Sequence, residues 1–199
     1  GSYMPCFLVG ESVATSLSSA LKVPLFKFSH QQGHIAAALY SANKTELFNS
    51  KFIAFHVSGG TTEMLHIVPD NELIIKCSPI GVTLDLNAGQ VIDRVGVMLG
   101  YDFPCGKRLE QICCDFADCD SRTFVRDLSC NMSGLENIAE RMKNNGESHA
   151  KIAGFVLKSV MRTIDKLSEN VREKYPDLPI VYAGGVMSNK KFRQRKSQN

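Results

Sequence analysis

The spacing of apolar residues predicts a chain that alternates between helices and short strands. Leu8, Val13 and Leu17 share one face of a helix predicted over residues 7–21. Similar patterns predict helices over residues 30–41, 83–99, 109–119, 133–143 and 147–175. Short runs rich in β-branched and aromatic residues predict strands at 25–29, on both sides of a bend within 52–68, at 72–78 and at 178–183. The three consecutive strands between 52 and 78 indicate an antiparallel meander at one edge of a sheet.

The helix over residues 30–41 carries two histidines on one face. Ser29 and Gln32 match a capping box, which places the helix start at His30. His30 and His34 are then one turn apart, and imidazoles at this spacing can chelate a metal ion. The alternative is a structural pair, with one ring capping the helix and one packed. The zinc-protease pattern HExxH is not met, because Gln31 and Gln32 stand where its glutamate would be.

Two glycine bends follow predicted strands. Residues 58–62 read Ser-Gly-Gly-Thr-Thr, and Gly184-Gly185 joins the strand at 178–183 to a helix predicted to start near residue 186. Such bends let backbone amides approach a phosphate or nucleotide, but both are also compatible with plain turns. Between them, the helix predicted to begin at Thr83 carries a polar stripe of Asp85, Gly89 and Asp93, as a ligand-facing helix would.

Composition narrows the function classes. A formal net charge of +3 is too small to indicate nucleic-acid binding by itself. The basic stretch at 190–196 is compatible with phosphate contact or with a solvated helix end. Seven cysteines, without paired Cys-x-x-Cys spacing, favour reduced thiols over a disulfide framework or zinc site. Gly1-Ser2 is compatible with a tag remnant. No apolar run suits a membrane span and no secretion leader is visible, so we expect a cytoplasmic protein.

The order of the motifs is more specific than any one of them. The chain reads His-x-x-Gly-His, Val-Ser-Gly-Gly-Thr-Thr, Gly-x-Thr-Leu-Asp-x-x-Ala-Gly-x-x-x-Asp-Arg, Tyr-Asp-x-Pro-x-Gly, Ser-Gly-Leu and Ala-Gly-Gly-Val-x-x-Asn. From residue 7 to about 195 it resembles the TsaD, or glycoprotease (Gcp), family of tRNA threonylcarbamoyladenosine transferases, once called O-sialoglycoprotein endopeptidases. The resemblance implies an α/β fold of the actin/Hsp70/sugar-kinase type, with two ribonuclease-H-like lobes. Residues 1–50 would be part of the first lobe and residues 51–199 most of the second.

The resemblance also implies an activity and a site. Such enzymes transfer threonylcarbamoyl from threonylcarbamoyl-adenylate to N6 of an adenosine in tRNA, with a metal as Lewis acid. His30 and His34 would be ligands for iron or zinc. The adenylate would be bound by the bend residues Val57, Ser58, Gly59, Gly60 and Thr61 and by Asp93, Gly106 and Asn189. Partners would include tRNA, a smaller paralogous TsaB-like subunit and a TsaE-like ATPase.

Departures from the family pattern leave a second interpretation open. The family's N-terminal phosphate loop and its C-terminal Asp-Asn-Gly segment, which supplies the third metal ligand, have no counterpart here. Gln32, Leu86 and Gln90 stand where the family has carboxylates, and Thr61 where it has His or Asn. The chain therefore resembles an incomplete or divergent transferase. The alternative is a non-catalytic paralogue that binds a nucleotide or a partner. We also expect a small exposed apolar surface that promotes homodimerisation.

Overall fold

The computed structural model describes residues 4–192 and has a four-stranded mixed sheet as its centre. The strand order is β3-β2-β1-β6, with β1, β2 and β3 antiparallel in sequence order and β6 parallel to β1. A separate two-stranded ribbon is formed by β4 and β5. The strands are β1 Phe52–Val57, β2 Thr62–Asp70, β3 Ile74–Val82, β4 Val125–Arg126, β5 Ser129–Cys130 and β6 Ile180–Ala183.

The described residues also form six α-helices and three short 3₁₀ helices. The helices are α1 Met4–Leu21, α2 His30–Ser41, α3 Ala88–Met98, α4 Gly106–Ile112, α5 Ser133–Asn144 and α6 His149–Lys174. Short 3₁₀ helices cover Thr45–Asn49, Phe116–Asp118 and Gly185–Ser188. Since every residue of β1 is buried, this strand lies in the middle of the core rather than at an edge.

Alternating residues of β1 supply two separate apolar cores. Ile53, Phe55 and Val57 join the larger core, which α3 and α6 complete. Phe52 and Ala54 point to the opposite face, where Ile35 and Leu39 of α2 pack. The helix that carries the paired histidines therefore packs on the sheet of residues 51–199, across the lobe boundary predicted at residue 50.

The predicted meander, capping box and long helix are confirmed. Residues 52–82 form the three antiparallel strands. Ser29 Oγ accepts a hydrogen bond from Gln32 N–H at 3.2 Å, and α2 begins at His30. Ser148 accepts from Lys151 N–H and starts α6. Helix starts are therefore predicted well where the capping residue directly precedes the helix in the sequence.

Four predictions about elements are wrong, three of them before residue 120. Residues 25–29 are not a strand, because they are exposed and pair with no strand in the described part of the chain. The third helix begins at Ala88, not at Thr83, whose hydroxyl donates to Leu86 O instead. The predicted helix 109–119 is replaced by α4 and a 3₁₀ turn, because Cys114 N–H leaves the helix to donate to Ala150 O.

The last predicted helix is replaced at its start by the 3₁₀ helix Gly185–Ser188. Helical residues resume at Lys190, and most of the basic stretch at 190–196 lies outside the described residues.

The helix α1 has no buried residue. Large apolar side chains remain exposed from Met4 to Phe28, and the ion pair of Glu11 with Lys27 joins the helix to the extended segment after it. The expected exposed apolar surface is present. No helix between residues 4 and 192 is long and apolar enough to cross a membrane.

Candidate functional site

Both glycine bends lie at one edge of the sheet. The parallel strands β1 and β6 end together there, so the bend after Val57 and the bend after Ala183 are neighbours. Gly184 has a φ of 103°, and a Cβ at this position would lie 2.3 Å from Val57 O. Only glycine fits this approach, and it brings the second bend against the end of β1.

A cleft of about 540 Å³ opens beside these bends. It brings together four residues predicted from the sequence to bind the adenylate: Gly59, Asp93, Gly106 and Asn189. A second cavity of about 680 Å³ shares Gly59, Asp93 and Phe103 with the first and continues toward the ion pair of Arg94 with Glu136. Residues from four separate parts of the sequence therefore line two adjoining cavities.

The first bend is held by its own serine. Ser58 Oγ accepts from Gly60 N–H at 3.3 Å and from Thr61 N–H at 3.1 Å, while Ser58 N–H donates to Thr61 O. A Cβ at Gly89 would lie 2.5 Å from Gly59 Cα, so α3 begins directly against the bend. A phosphate bound by this bend would compete with Ser58 Oγ for the amides of Gly60 and Thr61. Val57 contributes its backbone, because its side chain is buried in the larger core.

Asp93 and Asn189 each use one oxygen inside the protein. Asp93 Oδ1 accepts from Cys105 N–H at 2.7 Å, which ties α3 to the start of α4. Asn189 Oδ1 accepts from Lys191 N–H at 3.0 Å and from Phe192 N–H at 3.4 Å. The cleft therefore receives one carboxylate and one carboxamide whose orientations are fixed by the backbone.

Sequence reasoning missed several residues that line the cleft. Phe103 is 73% exposed at the cleft, where an aromatic face can stack on a base. Lys107 and Lys190 add positive charge to the walls, and Glu110 accepts from Lys190 N–H at 2.8 Å. Phe103 was an unspecified position inside Tyr-Asp-x-Pro-x-Gly, so only its place beside Asp93 in the structure indicates a role.

A histidine cluster lies at the same sheet edge, on the face covered by α2. The Nε2 atoms of His30 and His34 are 2.9 Å apart, so the predicted pair shares one site. The ring centroid of His56, on β1, is 4.5 Å from that of His34. Burial lowers the pKa of His34, and the neighbouring His56 and His30 lower it further. No residue of this cluster lines the cleft described above.

His56 was not predicted from the sequence. It is 1% exposed, and its Nδ1 lies 3.5 Å from the Glu63 carboxylate of β2. Within residues 4–192, its Nε2 is buried and has no hydrogen-bond partner. No three His, Cys, Asp or Glu side chains of the described residues already surround a common point suited to a metal.

Gln32 and Gln90, the neutral residues at positions where the resemblance implies carboxylates, have structural partners. Gln32 Oε1 accepts from Ser29 N–H, and its Nε2 donates to Ile75 O at 2.6 Å, a bond that a carboxylate could not make. Gln90 Oε1 accepts from Asn87 N–H at 2.9 Å at the start of α3. The neutral amide of Gln32 therefore helps to hold α2 against β3.

The seven cysteines all lie within residues 4–192, and none of them is joined in a disulfide there. The Cys114 and Cys119 Sγ atoms are 2.7 Å apart. Burial, together with the adjacent Cys114 thiol, raises the pKa of Cys119 to about 12. A thiol of this kind stays protonated near neutral pH.

Comparison with known proteins gives a consistent family match. The sequence model of the family described as TsaD, tRNA N6-adenosine threonylcarbamoyltransferase, matches residues 1–199. The protein of that name from Streptococcus gordonii is 29% identical over 198 residues, covering 94% of this chain and 56% of its own length. The one from Lactiplantibacillus plantarum is 30% identical over 204 residues, covering 96% of this chain and 56% of its own. The chain thus spans about half the length of these relatives.

Proposed function

The chain belongs to the tRNA N6-adenosine threonylcarbamoyltransferase family, and from that premise we propose that it supplies the adenylate cleft of such an enzyme. The observation that carries the proposal is the convergence of Gly59, Asp93, Gly106 and Asn189 on one cleft. These residues come from distant parts of a sequence that matches the family along its whole length. The actin-like arrangement of two lobes and a cytoplasmic location belong to the same proposal.

The proposed reaction is an acyl transfer to nitrogen. The N6 amine of an adenosine in tRNA attacks the carbamoyl carbon of threonylcarbamoyl-adenylate, forming a C–N bond. The bond from that carbon to the phosphate oxygen breaks, AMP leaves with the electron pair, and the amine loses one proton. Because the phosphate is already a good leaving group, most of the rate enhancement comes from positioning and charge stabilisation.

The cleft residues divide this work between the two ends of the adenylate. The free oxygen of Asp93 accepts from a ribose hydroxyl, while Cys105 N–H holds the other oxygen in place. Phe103 stacks on the adenine, since its side chain is exposed at the cleft. Gly59 leaves space for the phosphate beside the first bend, and the Lys107 and Lys190 ammonium groups balance its charge.

The metal of the proposed enzyme is a divalent ion, iron or zinc, bound by His30 and His34. Their 2.9 Å Nε2 separation suits two donors to one ion, and the orphaned Nε2 of the adjacent His56 indicates a site that lacks a ligand. When bound, the metal would polarise the carbamoyl oxygen as a Lewis acid. The protein's own part is to hold these imidazoles at the end of β1.

Partners of the whole enzyme follow from the same proposal. We include tRNA as the acceptor, with the basic residues at 190–196 as phosphate contacts. The smaller TsaB-like subunit, the TsaE-like ATPase and a homodimer remain alternatives for the exposed apolar surface of α1.

A calorimetric titration with a stable analogue of threonylcarbamoyl-adenylate tests the cleft. We expect binding by the 199-residue chain, weakened about tenfold or more in Asp93→Asn, since a hydrogen bond to a charged group is lost. Asparagine can still accept from Cys105 N–H, so the fold should persist. Asp177→Asn, an exposed change outside the cleft, serves as the matched control and should bind normally. Absent binding, or equal effects of the two variants, would exclude the proposed cleft.

A non-catalytic nucleotide-binding relative is the second candidate. It is favoured by Gln32, whose amide donates to Ile75 O and so fixes a neutral side chain beside the histidines. Transfer of labelled threonylcarbamoyl to tRNA lacking the modification separates the two candidates. The assay uses the protein expressed from its complete gene. Analogue binding without transfer would support the second candidate.

A further inference from the structure

We propose that His56 is a third imidazole ligand, which together with His30 and His34 forms a three-histidine metal site. The inference rests on the proposed function only for the metal-binding role of His30 and His34. From the sequence we expected the third ligand to lie outside this chain. The geometry points instead to a donor inside it, on the central strand.

The first observation is the position of His56. Its ring lies 4.5 Å from the His34 ring, with the two planes tilted by 38°. His34 in turn lies 4.3 Å from the His30 ring and meets it edge to face. His34 is thus the middle member of a continuous row of imidazoles, and the row begins in the core and ends at the surface.

The second observation is an unused donor. His56 is almost fully buried, yet its Nε2 has no hydrogen-bond partner among the described residues. A buried polar atom in this state costs free energy unless something binds it. The neighbouring strand residues Phe52 and Ala54, on the same face, are apolar and belong to the smaller core, so a histidine here is not required for packing.

The third observation is the carboxylate behind the ring. His56 and Glu63 are directly paired across β1 and β2, and His56 Nδ1 lies 3.5 Å from Glu63 Oε1. If Nδ1–H donates to this carboxylate, Nε2 carries the lone pair that a metal needs. Histidines that bind metals usually have such a carboxylate on the other ring nitrogen, which fixes the tautomer and raises basicity.

Some rearrangement of side chains is required. The three rings do not yet surround one point within the part of the chain described. His30 and His34 are exposed and can turn about their side-chain bonds, whereas the sheet holds His56 in place. Three imidazoles would favour a borderline ion such as Zn²⁺, Fe²⁺ or Co²⁺ and leave a coordination position open to water or a substrate oxygen.

Cobalt binding to the purified chain tests the proposal directly. We expect one equivalent of Co²⁺ to give the visible absorption of a four-coordinate site with three nitrogen ligands. The variant His56→Gln should bind at least about tenfold more weakly, and Glu63→Gln should weaken binding by about 10–100-fold with the three imidazoles intact. His66→Gln is the matched control, because His66 lies on β2 and stacks on Tyr175. It should leave the affinity unchanged.

Nitrogen-15 NMR of the unmodified chain gives a test that needs no variant. The chain has five histidines, and Zn²⁺ should shift the ring nitrogens of His30, His34 and His56 but not those of His66 and His149. A shift confined to His30 and His34, the same Co²⁺ affinity in His56→Gln, or no metal binding would overturn the proposal. Since these measurements use neither adenylate nor tRNA, they can succeed when the transferase proposal fails, and the reverse.

Discussion

At the scale of single residues, Asp85 shows how one carboxylate can join two distant segments. Its oxygens accept from Met132 N–H at 2.7 Å, from Ser133 Oγ at 2.6 Å and from Leu86 N–H at 2.6 Å. Partial burial raises the pKa of Asp85, but these hydrogen bonds outweigh it and lower the value to about 2. The loop before α3 is thereby fastened to the start of α5.

We predict that Asp85 makes stability depend on pH below 4. Because its folded pKa lies below the unfolded value, its contribution is present above about pH 4 and is lost as pH falls toward 2. Urea unfolding at pH 7 and pH 3 should show Asp85→Asn less stable than the parent at pH 7, by about 1 kcal/mol given the exposure of the group. The difference should shrink at pH 3. A difference that is equal at both values would contradict this account.

Two residues of the cleft could be identified from the sequence, whereas the buried histidine could not. Asp93 and Asn189 were predicted as site residues because they sit in recognisable motifs, and both line the cleft. His56 was missed because it lies in a strand that reads as continuously apolar. Its contact with His34 depends on how α2 packs across the sheet, and no local pattern encodes that.

At the scale of elements, α3 depends on a close contact with the start of α4. A Cβ at Gly96 would lie 2.2 Å from Cys105 Cβ, within a core that holds both residues tightly. The contact sets the distance between the two helices that contribute Asp93 and Gly106 to the cleft.

We therefore predict that Gly96→Ala destabilises the protein by about 1–3 kcal/mol, the usual cost of overpacking. Gly33→Ala, in α2, is the matched control, because nothing lies within 4 Å of the added Cβ. That variant should be unchanged or more stable, since alanine favours helix. Thermal unfolding followed by circular dichroism measures both. Equal melting temperatures for Gly96→Ala and the parent would mean that α4 moves without cost.

Element boundaries were predictable where local capping decides them and not where distant groups do. Ser29 and Ser148 cap helices within their own segments. The helix α2 starts at His30 as predicted, and α6 starts at His149, two residues after its predicted start. The start of α3 combines a local bond, from Asn87 N–H to Gln90 Oε1 at 2.9 Å, with a long-range bond from Ala88 N–H to Thr62 Oγ1 at 2.9 Å. The end of α4 is set by Ala150 in the same long-range way.

At the scale of the whole molecule, the sheet edge joins two sites that the family resemblance treats as one. The cleft opens on the face covered by α3, and the histidines lie on the face covered by α2. Both adjoin the end of β1, where His56 and Ser58 flank Val57. Residues on opposite faces of a strand can serve one reaction only past its end. Under the proposed function, a substrate that spans both sites passes over the bend at residues 58–61.

The exposed apolar surface of α1 leads to a prediction about assembly. Val13 and Leu17 are each more than half exposed, one turn apart on α1, and no residue of this helix is buried. Because water-exposed apolar area of this kind favours association, we predict that the apparent mass of the 199-residue chain rises with concentration in light scattering.

The double variant Val13→Lys/Leu17→Lys should shift the chain toward monomer. Ser12→Lys/Ser16→Lys adds the same charge to neighbouring exposed positions of the helix and serves as its control. If association requires the apolar face, only the first variant reduces it. If net charge alone keeps the chains apart, both variants reduce it equally, and the apolar surface is not the cause. A mass that stays monomeric at every concentration would contradict the prediction before any variant is made.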